Sequence, residues 1–292
     1  MANRRLLVKR RKAVRNIRKI TRTMQLIATA RFQAAFTRAT ATKPYTEKLA
    51  ELVADLSGAV GNIEHPLMKK PEGVNKSALV VLTSMRGLCG GYNANVLRLA
   101  IAHLDEAAKA GRSTDVHMVG KKGIGYFRFL KREVAERITH IADAPRFDTV
   151  EPIANDLMTR FSKGELASVH VTYMRFISAG QQSPTTIQLL PIAKEPSAVA
   201  EVRSGPRAEY EYSPEPKELL DELLPANVRA RLFQCFTDAA VSEQLARMVA
   251  MKAATDAAGD MIQSLSSKYN RARQTHITME LLDIVGGANA IS

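Results

Sequence analysis

The sequence predicts a mixed α/β protein framed by two very long helices, one near each end of the chain. Three observations carry this reading. Two terminal stretches repeat apolar residues at spacings of three and four. The stretch between them alternates short apolar runs with helical segments. The net charge of +13 lies wholly within residues 1–46.

The first helix is read from Ala13, Ile17, Ile20, Met24 and Ile27, spaced 4, 3, 4, 3. That is the 3.5-residue period of a coiled-coil seam. Continued, it meets Arg31, Ala34, Arg38, Ala41 and Tyr45, and Leu49, Leu52 and Leu56 restore it. Pro44 lacks an N–H and crowds the preceding turn, so a kink or short break is expected there. Otherwise residues 4–57 read as one helix about 80 Å long. Globular helices average about 11–12 residues, so this one needs a long partner.

The C-terminal stretch supplies it. Residues 227–285 contain no proline and a single glycine, Gly259. Ala254, Ala258, Met261, Leu265, Tyr269, Ala272 and His276 continue the spacing. Two helices of similar length at opposite ends predict an antiparallel coiled coil, with Ile20, Met24 and Ile27 facing the C-terminal seam. The expected division is 1–57 for the first shaft helix, 58–216 for the central α/β domain with its connecting loop, and 217–292 for the second shaft helix.

In the centre, residues 77–83 read as a buried strand, followed by a Gly-rich turn and a helix over 92–110. Residues 115–119 form a second strand and 121–132 a helix. A further helix spans 151–162. Residues 169–177 and 185–191 read as an antiparallel pair around a turn. The alternation implies a mainly parallel, Rossmann-like sheet with helices on its faces. Residues 193–216 are rich in Pro, Glu and Ser and read as a loop.

Composition excludes several classes. The 46% hydrophobic content supports a real core, so the chain is not disordered. Aromatics are 5% with no Trp, which disfavours base-stacking single-strand readers. Cys89 and Cys235 are too few for a disulfide framework or a cysteine zinc site. No run approaches the ~20 apolar residues of a membrane span. Thirteen bases with no acid in residues 1–46 exceed the mixing of a solvated face, and such a field attracts an acidic partner. An acid-free, Arg-rich N-terminus also resembles a transit peptide, but the sustained helical repeat competes with that reading.

No catalytic constellation emerges. Gly87-Leu88-Cys89-Gly90-Gly91 sits at a strand-to-helix turn where phosphates often bind, yet it lacks the P-loop ending and the dinucleotide spacing. A structural turn is the better reading. Gly120-Lys121-Lys122-Gly123-Ile124-Gly125 reads as a turn with solvated lysines. Cys89 has no His or Asp near it in sequence and reads as a small buried residue; Cys235 reads as core. The six histidines show no paired metal spacing. No cofactor, metal or catalytic residue is expected. From pattern alone, a nucleic-acid-binding protein with a basic helical arm is the principal alternative.

Four segments together resemble the gamma-subunit family of the rotary proton-translocating ATP synthase. The first runs from Val14 to Met24 (VRNIRKITRTM), close to V-x-N-T-x-K-I-T-x-A-M, and continues as Ile27-Ala28-Thr29-Ala30-Arg31. The second is Arg86 to Asn93 (RGLCGGYN), against R-G-L-C-G-G-F-N. The third contains Ala246 to Met251, Tyr269-Asn270-Arg271-Ala272-Arg273-Gln274, Ile277-Thr278 and Gly286-Gly287-Ala288. The fourth is Tyr210-Glu211-Tyr212-Ser213-Pro214. The sequence departs from the pattern at Ile17 (usually Thr), Thr23 (usually Ala) and Met85, where Asp often stands.

The resemblance implies a rotor shaft inside a ring of alpha and beta subunits, with epsilon, peripheral delta and the membrane c-ring as further partners and no nucleic acid. It implies a non-catalytic subunit. By motif, Met24, Arg273, Gln274 and Thr278 would contact beta. Arg10, Arg11, Lys12, Arg15, Arg18 and Arg22 would face an acidic loop of beta, and Tyr210 and Tyr212 would belong to the foot. The apolar tail over 281–291 would suit an apolar sleeve. A starting Met that leads straight into the shaft helix favours a bacterial protein, peripheral on the cytoplasmic side of the inner membrane.

Overall fold

A computed structural model describes residues 4–59, 65–141, 143–192 and 216–289. The chain divides into two compact units. One comprises Met1–Ala30 with Arg247–Ser292, and the other Arg31–Ala246. Helix α1 (Arg4–Ala59) and helix α5 (Pro216–Asn289) each contribute to both.

The larger unit is built on a five-stranded sheet of order β3-β2-β1-β4-β5. Its strands are β1 (Lys76–Leu82), β2 (Ser113–Val119), β3 (Glu136–Ile138), β4 (Ser168–Ser178) and β5 (Gln181–Leu190). β1 pairs in parallel with β2 and β4, β2 pairs in parallel with β3, and β5 returns antiparallel to β4. The helices α2 (Tyr92–Lys109), α3 (Lys121–Phe129) and α4 (Phe147–Ser162) connect them. The expected parallel sheet and the antiparallel 169–191 pair are both present. β3 was not expected: three residues (ERI), two of them charged and exposed, give no strand signal.

Both faces of β1 are buried, as its unbroken apolar run requires. Leu79 and Val81 pack with Val96, Leu97 and Ala100 of α2 and with Ile124 and Phe127 of α3. Ala78, Val80 and Leu82 join the other core, which holds Leu157 and Phe161 of α4, Leu220, Leu224, Val228 and Leu232 of α5, and Val53 and Leu56 of α1. The α5 helix starts eleven residues earlier than the proline-free stretch from Asn227 suggests. Pro216 occupies its first position, where the missing N–H costs nothing, and Pro225 lies inside it. Likewise α1 runs unbroken through Pro44. Pro44 and Thr40, whose carbonyl the ring displaces, are exposed, so water can serve that carbonyl.

Two turns of the larger unit are held by specific contacts. In the GLCGG turn the Asn93 carboxamide accepts from the Ser84 N–H (3.0 Å), and its Nδ2 donates to the Ser84 hydroxyl (2.7 Å) and toward the Cys89 sulfur (3.2 Å). Cys89 is buried and Gly90 takes a left-handed φ of 55°. At the next turn a Cβ on Gly120, where φ is 96°, would lie 2.2 Å from the Thr83 carbonyl oxygen. A Cβ on Gly123 would lie 2.3 Å from the Met118 sulfur. These glycines let α3 start directly against the end of β1, where the Gly123 N–H donates to the Thr83 hydroxyl (3.0 Å). Both segments are structural turns, and Lys121 and Lys122 are exposed, as expected.

Candidate functional site

The smaller unit is a helix pair, and its internal contacts fix its direction. Arg11 lies over the Tyr269 ring at 5.1 Å, Arg18 approaches Gly259, and the Thr21 and Thr255 hydroxyls meet at 2.9 Å. The α1 number rises as the α5 number falls, so the pair is antiparallel. The larger unit repeats the pattern: Thr42 donates to Gln234 (3.3 Å), and Ala35 and Ala39 pack with Val241.

The register of the seam differs from the expected one. Ile20, Met24 and Ile27 do not face α5; they are 58%, 36% and 49% exposed, and Ile17 is 52% exposed. The buried or half-buried positions of α1 in this unit are Leu7, Arg11, Val14, Thr21, Gln25 and Ala28. In the larger unit Phe32, Ala35, Ala39, Thr42, Thr46, Leu49, Val53 and Leu56 extend the same 3–4 spacing. From Val14 to Thr46 the buried positions lie one residue after the expected ones, a rotation of about 100° around the helix, whereas Leu49 and Leu56 are buried as expected. The most apolar stripe faces outward. The inner face is instead small and partly polar, which permits close axial approach.

On α5 the expectation is nearer. Ala258, Leu265, Tyr269 and Ala272 are inward, with Met251, Thr255 and Ile262, whereas Met261 is 54% exposed.

Helix α1 of this unit thus has three faces. One is the seam. The second is the exposed apolar stripe Ile17, Ile20, Met24 and Ile27. The third carries bases: Arg10, Lys12, Arg15, Arg18 and Arg22 are exposed, and Arg22 donates to Gln25 (3.1 Å). By helical position Lys12, Arg15, Arg18 and Arg22 lie roughly opposite the apolar stripe, whereas Arg10, seven residues before Ile17, falls on its side. Arg11 departs from this set, because it is half-buried and stacked on Tyr269, a cation–π contact.

On α5, Arg273, Gln274 and Thr278 are exposed. The Thr278 hydroxyl donates to the Gln274 carbonyl (3.0 Å). Thr23, Thr29 and Thr275, also exposed, bond back to their own helices in the same way. Ile277, Met279, Leu281, Leu282, Ile284 and Val285 are exposed apolar residues on consecutive turns. Tyr210 and Tyr212 lie outside the described residues.

The titratable groups of the larger unit are tied into its packing. Burial raises Asp115, but Lys76 (2.9 Å) and Arg160 (2.7 Å) outweigh it and hold the carboxyl below its ordinary range. His117 lies 2.7 Å from Glu136. The His103 and His170 rings are 4.7 Å apart. Burial, then the neighbouring His103 and Arg112, lower His170 to about 4, so it is neutral at pH 7. Burial pushes the Cys235 thiol up to about 12, which leaves it unreactive. Asp238 is raised to about 6 by burial, against the hydrogen bond from Gln234 and the charges of Arg175 and Lys43. Among the described residues no His, Cys, Asp or Glu cluster has metal-binding geometry, and no helix is long and apolar enough to cross a membrane.

An antiparallel helix pair that exposes an apolar stripe and a basic stripe, in a chain that also forms an α/β body, defines a class: an α/β protein with a long helical shaft. The comparisons specify it. The family model described as ATP synthase matches residues 3–291. A protein of Rhodopirellula baltica named ATP synthase gamma chain is 43% identical over 294 residues, covering 100% of this chain and 99% of its own. One of Leptospira biflexa with the same name is 40% identical over 292 residues, covering 100% of both. A chain of the Euglena gracilis mitochondrial ATP synthase (OSCP/F1/c-ring, rotational state 3) shares the fold with a TM-score of 0.68 at 19% identity, over 99% of this chain and 94% of that one. The chain belongs to the ATP synthase gamma-chain family.

Proposed function

We propose that this chain is the central rotor shaft of a proton-translocating ATP synthase. It couples proton flow to ATP synthesis, or the reverse, by turning inside a ring of alpha and beta subunits, and itself does no bond chemistry. Full-length similarity to gamma chains supports this reading, and the observation that carries it is the outward apolar stripe of α1. A helix pair that places Ile17, Ile20 and Ile27 in solvent beside a seam of Thr and Ala keeps its most apolar surface for a partner. Different shaft faces then bias different nucleotide sites, a coupling of binding free energies.

In this reading residues 1–57 and 217–292 supply the shaft and 58–216 the body. Met24, with the isoleucines, and Arg273, Gln274 and Thr278 contact beta. The basic face meets an acidic loop of beta, Tyr210 and Tyr212 belong to the foot, and the tail of α5 runs in an apolar sleeve. Epsilon, delta and the c-ring complete the assembly at a bacterial inner membrane, on its cytoplasmic side. No observation favours the nucleic-acid alternative.

The test is co-purification of the tagged chain with alpha, beta and epsilon subunits in an ATP-hydrolysing complex. The chain freed of alpha and beta should show no turnover. Hydrolysis by the free chain, or failure to recover the ring subunits, refutes the reading.

A further inference from the structure

The β3 edge of the sheet is incomplete. β2 has seven residues, but β3 pairs with only His117, Met118 and Val119. Earlier in β2 the Ser113 N–H donates to the Asn75 carbonyl on the β1 side (3.1 Å). Backbone groups of successive strand residues point to opposite sides, so the N–H and C=O of Thr114 point away from β1. On that side no described strand accompanies residues 113–116. The chain entering β3 adds one bond there, from the Ala135 N–H to the Val116 carbonyl (2.9 Å).

A groove of about 470 Å³ lies along this open edge. That volume falls within the roughly 300–1,000 Å³ of ligand sites. Val116, Ile124 and Val134 provide apolar lining, and Arg128, Lys131 and Arg137 line it with positive charge. The acids beside them do not balance these bases. Asp115 is engaged by Lys76 and Arg160, which leaves Glu133. Arg132, also in the lining, is held by Asp105 (2.7 Å). Next to Arg128 in α3, Phe129 is 80% exposed.

We propose that this groove docks a short, extended, carboxylate-rich segment of a partner protein, which adds as a strand beside Thr114. The open edge selects an extended backbone, the three bases select acidic side chains, and the apolar lining takes the alternate side chains that point inward. A flat anionic surface meets neither the open edge nor the concavity. The inference uses only the larger unit and does not depend on the shaft reading.

The probe is an acetylated hexapeptide alternating glutamate and valine, with a photo-crosslinking benzophenone at one end. It is mixed with the full chain at about 50 and about 200 mM salt, and crosslinked positions are mapped by mass spectrometry. Crosslinks are expected in 113–116 and 128–137, fewer at the higher salt. The triple variant Arg128→Gln/Lys131→Gln/Arg137→Gln, checked for an unchanged melting temperature, should lower groove crosslinking at least about fivefold. Neutralising Arg10, Lys12 and Arg15 should leave it unchanged. Crosslinks confined to residues 4–22, or a groove signal indifferent to the triple variant, overturn the proposal. So does binding to phosphatidylglycerol vesicles that the triple variant abolishes while peptide crosslinking stays absent.

Discussion

The two compact units draw on the same two helices but spend their side chains differently. The smaller unit holds fifteen bases against four acids, whereas Arg31–Ala246 holds 27 against 25. Among the described residues the smaller unit buries only four hydrophobic ones, Leu7, Ala28, Met251 and Ala258. Among the described residues it exposes fifteen large ones, against nine in the larger unit. The larger unit covers both faces of its sheet with its own residues. The smaller one holds itself together through a thin seam and leaves its apolar and charged side chains exposed. Stability and function should therefore fail separately in the two units.

The largest expected effect is on stability in the larger unit. Gly120→Ala combines a left-handed φ with a Cβ 2.2 Å from the Thr83 carbonyl oxygen. Because backbone there has no room to yield, it should cost about 3 kcal/mol or more, read by urea denaturation. A native melting profile for this variant would show that the α3 turn is looser than it looks.

The next effect is on function in the smaller unit. Replacing Ile17, Ile20, Met24 and Ile27 together by Gln should leave the helix content of the free chain unchanged, because these side chains are already exposed. It should lower recovery of the ring complex or coupled proton pumping by more than about tenfold. Loss of helix content instead would place these residues in the seam after all.

Neutralising Arg10, Arg11, Lys12, Arg15, Arg18 and Arg22 together should weaken assembly or coupling, most at low salt. Neutralising Arg98, Lys109 and Arg112 in the larger unit should matter less. Exposed pairs are worth only about 0.2–1 kcal/mol each, so single changes should be mild. Arg11→Gln is the exception, since it also loses the Tyr269 contact and should lower the melting temperature. Equal losses from both sets would reduce the basic face to a solvated surface.

The smallest effects are gentle gains. Gly259→Ala puts a Cβ 3.8 Å from the Arg18 guanidinium, an ordinary contact, inside a helix. It should stabilise by about 0.4–1 kcal/mol in a thermal melt. Asp238→Asn should stabilise by about 1 kcal/mol at pH 8 and by little at pH 4. The sign follows from the raised carboxyl: between its unfolded value of 3.8 and about 6 the folded state holds more protons, so stability falls as pH rises through that window. Asn keeps the acceptor for Gln234 without the buried charge.

Much of this contrast is written in the residue pattern. The central strands were readable because β1 is apolar throughout and glycines mark both turns. The charge of α1 needed no structure. The seam was misread because periodicity reports the most apolar stripe and does not tell an inner face from an outer one. The clue lay in the break of rhythm. Ala41, Tyr45 and Leu49 are spaced 4 and 4, and Arg31 and Arg38 fall on the apparent seam. The residues one step later, from Ala28 and Ala35 to Thr42 and Thr46, run on without that fault and meet the apparent seam at Leu49. β3 and the groove beside it left no trace, because short edge strands are defined by their neighbours.

The back-bonded threonines have a mechanical side. Thr23, Thr29, Thr275 and Thr278 are exposed, yet each gives its proton to a carbonyl of its own helix. A hydroxyl satisfied in this way has its methyl group and a half-used oxygen left to present outward. Directional bonds make a surface sticky at particular angles, and dispersion does not. At these four positions the helices therefore offer less directional surface than free hydroxyls would. In the proposed rotor, hydrogen bonding within each turn would thus lower the angular preference of the surface at those positions, beside what apolar composition does.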